Sequence, residues 1–376
     1  MRIALDLRRI KNPGIGRYMK CLTEAVLAQA PEHDYLLILP PGDEGLITAA
    51  GRVEKIAPPI RYYSVREQVD LPRILRRHRI DLLHSPHFNL PLIRPCPTVV
   101  SLHDVIYLAC KQDMPSLAGR LYYRAMVSAS ARLAERIITG SDFSKRDIVR
   151  FLGIDPAKIE VVHYGLSSNF QPVPDSPARR SVLARYGIDQ EYILYTGIYK
   201  LRKNHAGLLH SFRALLAQGV KAQLVIAGPM DEGEPELRGL AGELGVEKKV
   251  VFAGFVPDAD LPSLYSAARL YACPSLYEGF GFTILEAMAC GVPVVSSAET
   301  SLPEVAGDAA LFADARDSEE FAAALRRAFV DEDLRLQLIE KGFANHRRFT
   351  WETAASKTLA AYHRAAGLEA AKAVYA

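Results

Sequence analysis

The feature that limits the fold most is the regular return of short apolar runs between stretches of helical periodicity. Six runs fall in the first half of the chain: Ile3–Leu7, Tyr35–Leu39, Asp81–His84, Thr98–Leu102, Arg136–Gly140 and Ile159–Val162. Six more follow: Tyr192–Thr196, Gln223–Ala227, Val250–Ala253, Leu270–Cys273, Val294–Ser297 and Ala310–Phe312. Strands that alternate with helices predict parallel sheets, because a parallel pair needs a long crossover and a helix supplies it. Each set is large enough for one doubly wound domain. Between them, Asn169–Pro177 holds Pro172, Pro174 and Pro177, a stiff connector suited to an interdomain link. The expectation is an α/β chain with domains at 1–170 and 171–345 and a terminal amphipathic helix within 346–376.

A length of 376 residues exceeds one ordinary core and agrees with two. No apolar run is long enough to span a bilayer, and the charged start Met1-Arg2-Ile3-Ala4-Leu5-Asp6 lacks the apolar core of a signal peptide. A cytoplasmic protein is expected. The five cysteines are odd in number and scattered, which predicts reduced thiols and neither a zinc knuckle nor a disulfide. Charge is uneven. Through Phe170 there are 24 Lys and Arg against 17 Asp and Glu, and beyond it 22 against 26. Arg73, Arg76, Arg77 and Arg79 form one basic cluster; Arg120, Arg124, Arg132 and Arg136 form another. Solvated helix faces explain both, and a surface for anionic lipid or an anionic acceptor is the sharper reading. Nucleic acid is not expected, since no stacking aromatics are interleaved with the arginines.

The richest stretch is Pro274–Ser297, in which Glu278 stands before a Gly279-Phe280-Gly281 turn and Glu286 lies eight positions on, in a helix starting near Thr283. Two carboxylates beside backbone amides at a helix start can hold a polyhydroxyl ligand and an anion. Taken alone, the pattern equally fits a capping Glu278 and a solvated Glu286. A second glycine turn, Tyr195-Thr196-Gly197, leads into Arg202-Lys203-Asn204, where cations at a helix start suit a diphosphate. Asn12–Tyr18 carries Gly14 and Gly16 directly after the first run and opens a helix near Tyr18, but lacks a full dinucleotide fingerprint. His103-Asp104 closes the fourth run, where open α/β sheets place their ligands. His84 and His87 have metal-like spacing without a third ligand. Asp258 and Asp260 fit the cap and first turn of a helix better than a metal site.

The two glutamates separated by seven residues resemble the donor-binding signature of the family 4 glycosyltransferases, retaining enzymes of the GT-B fold. The likeness extends over nearly the whole chain, through Lys203-Asn204, His163-Tyr164-Gly165, Gly254–Leu261 and Thr300–Glu304. The chain departs from some members at Ile198, which stands where they carry an arginine; Arg202 is the substitute. The resemblance implies two Rossmann-like domains facing across a cleft, with the last helix crossing back onto the first. It implies donor contacts by Gly16, Arg202, Lys203, Gly279, Phe280, Gly281, Phe282, Thr283 and Glu286, with Arg17 a weaker candidate. Lys203, Arg202, Glu278 and His103 would be catalytic: cations for the departing diphosphate, Glu278 for sugar hydroxyls, His103 for the transferred sugar with Asp104 orienting it. Glu286 would take the ribose hydroxyls. His84 and His87 are assigned to the cleft wall, and Gly140–Lys145 and Tyr164 to structure. No metal and no cofactor is implied.

Thr98–Val105 and Gly14–Tyr18 look most like bacterial mannosyltransferases of surface polysaccharide synthesis. GDP-mannose is therefore the first-choice donor and UDP-glucose the second, with a glycan or lipid-linked glycan acceptor at the inner face of the membrane. The rivals are an epimerase or phosphorylase of the same fold and a non-catalytic sugar-binding subunit. Kinase and dehydrogenase fingerprints are missing.

Overall fold

The computed structural model describes residues 1–12, 14–48, 51–114, 116–229 and 233–368. Pro13 of the first glycine loop and the alanine-rich end from residue 369 lie outside them. The chain divides into two compact units, Met1–Gly165 with Phe349–Ala376, and Leu166–Arg348.

The first unit is built on strands β1 (Arg2–Asp6), β2 (Asp34–Ile38), β3 (Val53–Ile56), β4 (Leu82–Ser85), β5 (Thr98–Ser101), β6 (Arg136–Thr139) and β7 (Ile159–Val161). They form one sheet in the order β3-β2-β1-β4-β5-β6-β7, with parallel pairing throughout. Strand order reverses beside β1, as in doubly wound folds. The second unit repeats the plan with β8 (Tyr192–Thr196), β9 (Gln223–Ala227), β10 (Val250–Gly254), β11 (Leu270–Cys273), β12 (Val294–Ser297) and β13 (Ala310–Ala313), ordered β10-β9-β8-β11-β12-β13. Central strands such as β8 and β9 are buried at every residue, which a parallel sheet covered on both faces requires. All twelve expected strands are present. The missed one, β3, is a sheet edge with the polar pair Glu54 and Lys55 at its middle.

The last helix, Trp351–Ala365, packs in the first unit against the helix Ile15–Gln29 and alongside β5 and β6. Its buried face carries Trp351, Ala354, Ala355, Thr358, Ala361 and Tyr362. A polar chain pins it. The Tyr362 hydroxyl is 2.7 Å from His84 Nδ1, and Ser101 Oγ lies 2.8 Å from both His84 Nε2 and the Tyr18 hydroxyl. Burial pushes the imidazole of His84 down to about 3, so it sits in the core as a neutral ring. His84, 1% exposed, therefore fastens the helix to the sheet, which corrects its assignment to a cleft wall.

The first helix starts at Ile15, three residues earlier than expected from Tyr18. A Cβ on Gly16 would lie 1.9 Å from the Ile10 carbonyl oxygen, so close backbone approach in the loop explains this glycine without a ligand. The helix Leu261–Ala267 has no side-chain cap; Asp260 instead accepts from Arg185 Nη2 and the Tyr186 hydroxyl, each at 2.8 Å. It ties two helices of the second unit together rather than capping one.

Candidate active site

In the second sheet, order reverses between β8 and β11, which pair directly. Chain leaving the C-terminal ends of these two strands diverges around a crevice, the usual ligand position in an open α/β sheet. The segment after β8 turns through Leu201–Lys203 into the helix His205–Ala217. Asn204 sits at the junction in the left-handed region, φ 56°, and its Nδ2 donates to the Ala315 carbonyl at 2.8 Å. The segment after β11 runs into the helix Phe282–Ala289 through Gly281, at φ 110°, a conformation that disfavours any side chain. The two segments are stitched by the Leu276 N–H, which donates to the Arg202 carbonyl at 2.7 Å.

That stitch brings Lys203 Nζ within 2.5 Å of Glu278 Oε1, and both side chains are largely covered, 14% and 12% exposed. Burial alone would raise the Glu278 carboxyl. The Lys203 ammonium and its hydrogen bond, with Arg202 and Ser275, outweigh burial and hold it below the usual range. The loop carrying Glu278 is stapled from behind. Its N–H donates to Thr300 Oγ1 at 3.0 Å, and the Ser301 hydroxyl lies 2.9 Å from the carbonyls of both Glu278 and Phe280. Thr300 is itself left-handed, φ 59°. Of the turn and helix-start amides expected to face a ligand, that of Ile284 is taken within the protein by the Gly281 carbonyl.

Glu286 also faces inward. It is 4% exposed, and its Oε2 accepts from the Tyr265 hydroxyl at 2.8 Å. Tyr265 in turn is 2.7 Å from Thr196 Oγ1 at the end of β8. Thr283 shares a hydrogen bond with the Tyr271 hydroxyl. Within the second unit, therefore, Arg202, Lys203, Glu278 and the Gly279–Thr283 turn meet where β8 and β11 end, and Glu286 stands behind them on a tyrosine relay.

His103 and Gly16 belong to the first unit. The His103 Nε2 atom is 3.1 Å from the Pro86 carbonyl, which can only accept, so Nε2 carries the proton. Nδ1 then accepts from the Tyr164 hydroxyl at 2.8 Å. Burial lowers the ring to about 4 against the favourable Pro86 carbonyl, leaving it neutral at ordinary pH. The Asp104 carboxylate accepts the Ile106 N–H at 3.0 Å. Tyr164, read from the sequence as structural, and Pro86 hold the two ring nitrogens of His103.

The chain matches the model described as "Glycosyl transferases group 1" over residues 183–344 and "Glycosyltransferase Family 4" over residues 14–170. It is 37% identical over 291 residues to O-antigen chain mannosyltransferase B of Escherichia coli, an alignment spanning 77% of this chain and 75% of that one. The chain belongs to the family 4 glycosyltransferases. This glycosyltransferase is also 31% identical over 307 residues to D-inositol 3-phosphate glycosyltransferase of Nocardioides sp., covering 76% of this chain and 65% of the relative. Among solved structures, Anabaena HepE in complex with UDP and glucose superposes with a TM-score of 0.75 at 20% identity, over 96% of this chain and 99% of that one. The glycosyltransferase thus has the GT-B fold.

Sequence reasoning missed the parts of the site that act through others: Ser275, Tyr265, and the Thr300-Ser301 staple. Thr300–Glu304 was legible as a family-like segment, but nothing in its residue types announced that it holds the Glu278 loop.

Proposed function

We propose that this glycosyltransferase moves mannose from GDP-mannose, with retention at the anomeric carbon, onto a hydroxyl of a glycan or lipid-linked glycan in surface polysaccharide synthesis. The Lys203–Glu278 pair carries the reading. A donor entering the crevice would draw the Lys203 ammonium onto its diphosphate and free Glu278 to accept from sugar hydroxyls. Arg202 adds a second cation for charge that grows on the leaving phosphate as its bond to C1 breaks. The acceptor oxygen would bond to C1 on the face the diphosphate leaves, passing its proton to a phosphate oxygen. Glu286 would release Tyr265 or use its other oxygen to take ribose hydroxyls, and His103 would touch the transferred sugar. Gly16, explained by packing, remains a donor contact only in this proposal.

The mannosyltransferase relatives support the choice of sugar. Calorimetry with GDP and UDP tests the base, and a product-mass assay with GDP-mannose and mannosylated glycolipid tests transfer. Binding of UDP and not GDP would shift the donor to UDP-glucose. Binding without turnover would make the chain a non-catalytic subunit.

No helix among the described residues is long and apolar enough to cross a membrane. Exposed Val65, Val69, Leu92, Ile93, Leu117 and Leu121 accompany Arg66, Arg73 and Arg124 on the first unit. An apolar surface mixed with arginines supports peripheral binding to an anionic inner membrane from the cytoplasm. Flotation with anionic liposomes tests it, and protein left in the soluble fraction would remove it.

A further inference from the structure

A second polar cluster surrounds the end of β1 in the first unit. Arg8 forks onto Asp6, Nε to Oδ1 and Nη2 to Oδ2 at 2.7 Å each, and Nη2 also reaches Glu67 Oε1 at 2.5 Å. The Arg8 side chain is 3% exposed and both carboxylates 1%. Glu67 Oε2 accepts from the Tyr63 N–H at 3.0 Å and from Asn89 Nδ2 at 2.7 Å. One buried carboxylate therefore fixes an arginine, a loop and an asparagine together. Tyr63 is held at φ 60°, unusual for an aromatic residue and a sign of a backbone set by its surroundings.

So tight a framework still leaves polar atoms unanswered. Arg8 Nη1, Arg9 Nε, the Tyr62 hydroxyl and His87 Nδ1 are buried without a hydrogen-bond partner among the described residues. Buried polar groups are rarely left so, and a group of them calls for a ligand or an ordered solvent. The side chains are neighbours. The Arg8 guanidinium lies 4.7 Å and that of Arg9 5.2 Å from the Tyr62 ring centre, and the His87 ring is 5.9 Å from Tyr62. His87 is 6% exposed. Over this interior stand Tyr63 and Tyr122, 43% and 42% exposed, their ring centres 5.8 Å apart.

Exposed aromatic faces beside buried donors and acceptors suit a pyranose, whose C–H face stacks on a ring while its hydroxyls hydrogen bond. Asp6 and Glu67 balance the charges of Arg8 and Arg9, so an anion gains little there. We propose that this cluster is a subsite for a neutral hexopyranose of the acceptor, stacked on the Tyr122 ring and flanked at its edge by the perpendicular Tyr63 ring, with hydroxyls bonded to His87 Nδ1, Arg8 Nη1 and the Tyr62 hydroxyl. Entry requires the Tyr63 side chain to swing outward and return against the edge of the bound sugar. The assignment rests on the glycosyl-transfer reading and names the sugar-bearing end of its acceptor.

Saturation-transfer NMR on the full chain with methyl α-mannopyranoside and methyl α-glucopyranoside tests it, with calorimetry against inorganic phosphate and against GDP run in parallel. At least one glycoside should receive saturation, and Tyr63→Ala and Tyr122→Ala should each weaken its binding about tenfold or more, the loss expected of a truncated anchor. Tyr122→Ala, at an exposed helix position, guards against misfolding of the other variant. Glu278→Gln should leave glycoside binding intact. The subsite is overturned if neither glycoside binds, if binding survives both tyrosine variants, if Glu278→Gln abolishes it, or if phosphate alone binds. Failure of GDP to bind would instead sink the donor reading and leave these outcomes interpretable.

Discussion

Lys203 and Glu278 are 75 residues apart, yet their side chains meet at 2.5 Å where two parallel strands end, each answering the other's charge in a largely covered crevice. An ion pair in that setting ties the two segments together, and phosphate offered to one partner with hydroxyls offered to the other would exchange for it.

Removing one partner should therefore be worse than removing both. Lys203→Met leaves a covered carboxylate unpaired and should destabilise the protein by about 3 kcal/mol, less whatever Arg202 and residual solvent recover. The double variant Lys203→Met with Glu278→Gln should regain most of that loss. Denaturant unfolding of the four proteins measures the coupling. Additive effects would mean the pair is not coupled. Turnover should fall about 100-fold or more in both single variants.

Ser301→Ala should loosen the Glu278 loop without touching the ligand. Loss of the hydroxyl frees the Glu278 and Phe280 carbonyls and should cost about 1–2 kcal/mol in unfolding free energy. GDP affinity should drop while the apparent KM for acceptor stays put. An unchanged GDP Kd would show that the staple does not position the site.

Gly16→Ala should be severe. The new methyl collides with the Ile10 carbonyl at 1.9 Å, and backbone cannot yield as a flexible side chain would. A loss of about 3 kcal/mol is expected. A melting temperature within a degree or two of the parent would refute the packing explanation for this glycine.

Acid should unfold the protein early. His103 and His205 are lowered by burial from 6.5 to about 4. The unfolded chain takes up protons below about pH 6.5 that the folded chain refuses until about pH 4, so stability is present above that window and drains as pH falls through it. Each histidine contributes on the order of 3 kcal/mol. A melting temperature flat between pH 7 and pH 4.5 would contradict this, and His205→Phe should shallow the slope.

What the sequence revealed follows from what local pattern can encode. Every apolar strand was legible because burial on both faces leaves a run of Val, Ile and Leu; β3 escaped because an edge tolerates Glu54 and Lys55. Glu278 and Lys203 stood out as charges beside glycine turns. Their contact did not, since it depends on strand order and on the Leu276–Arg202 hydrogen bond. The orientation of His103 by Tyr164, 61 positions on, and the tie from His84 to Tyr362, 278 positions on, are likewise products of topology. Residue type names a candidate; only the fold names its neighbour.

The His84–Tyr362 tie also sets an order of assembly. The sheet that begins the chain keeps part of its core open until residue 362 has left the ribosome, whereas the second unit, continuous from 166 to 348, is whole before then. A nascent chain should hence protect its later half from protease first. Clipping the protein before Trp351 would strip the earlier half of its closing helix and spare the other.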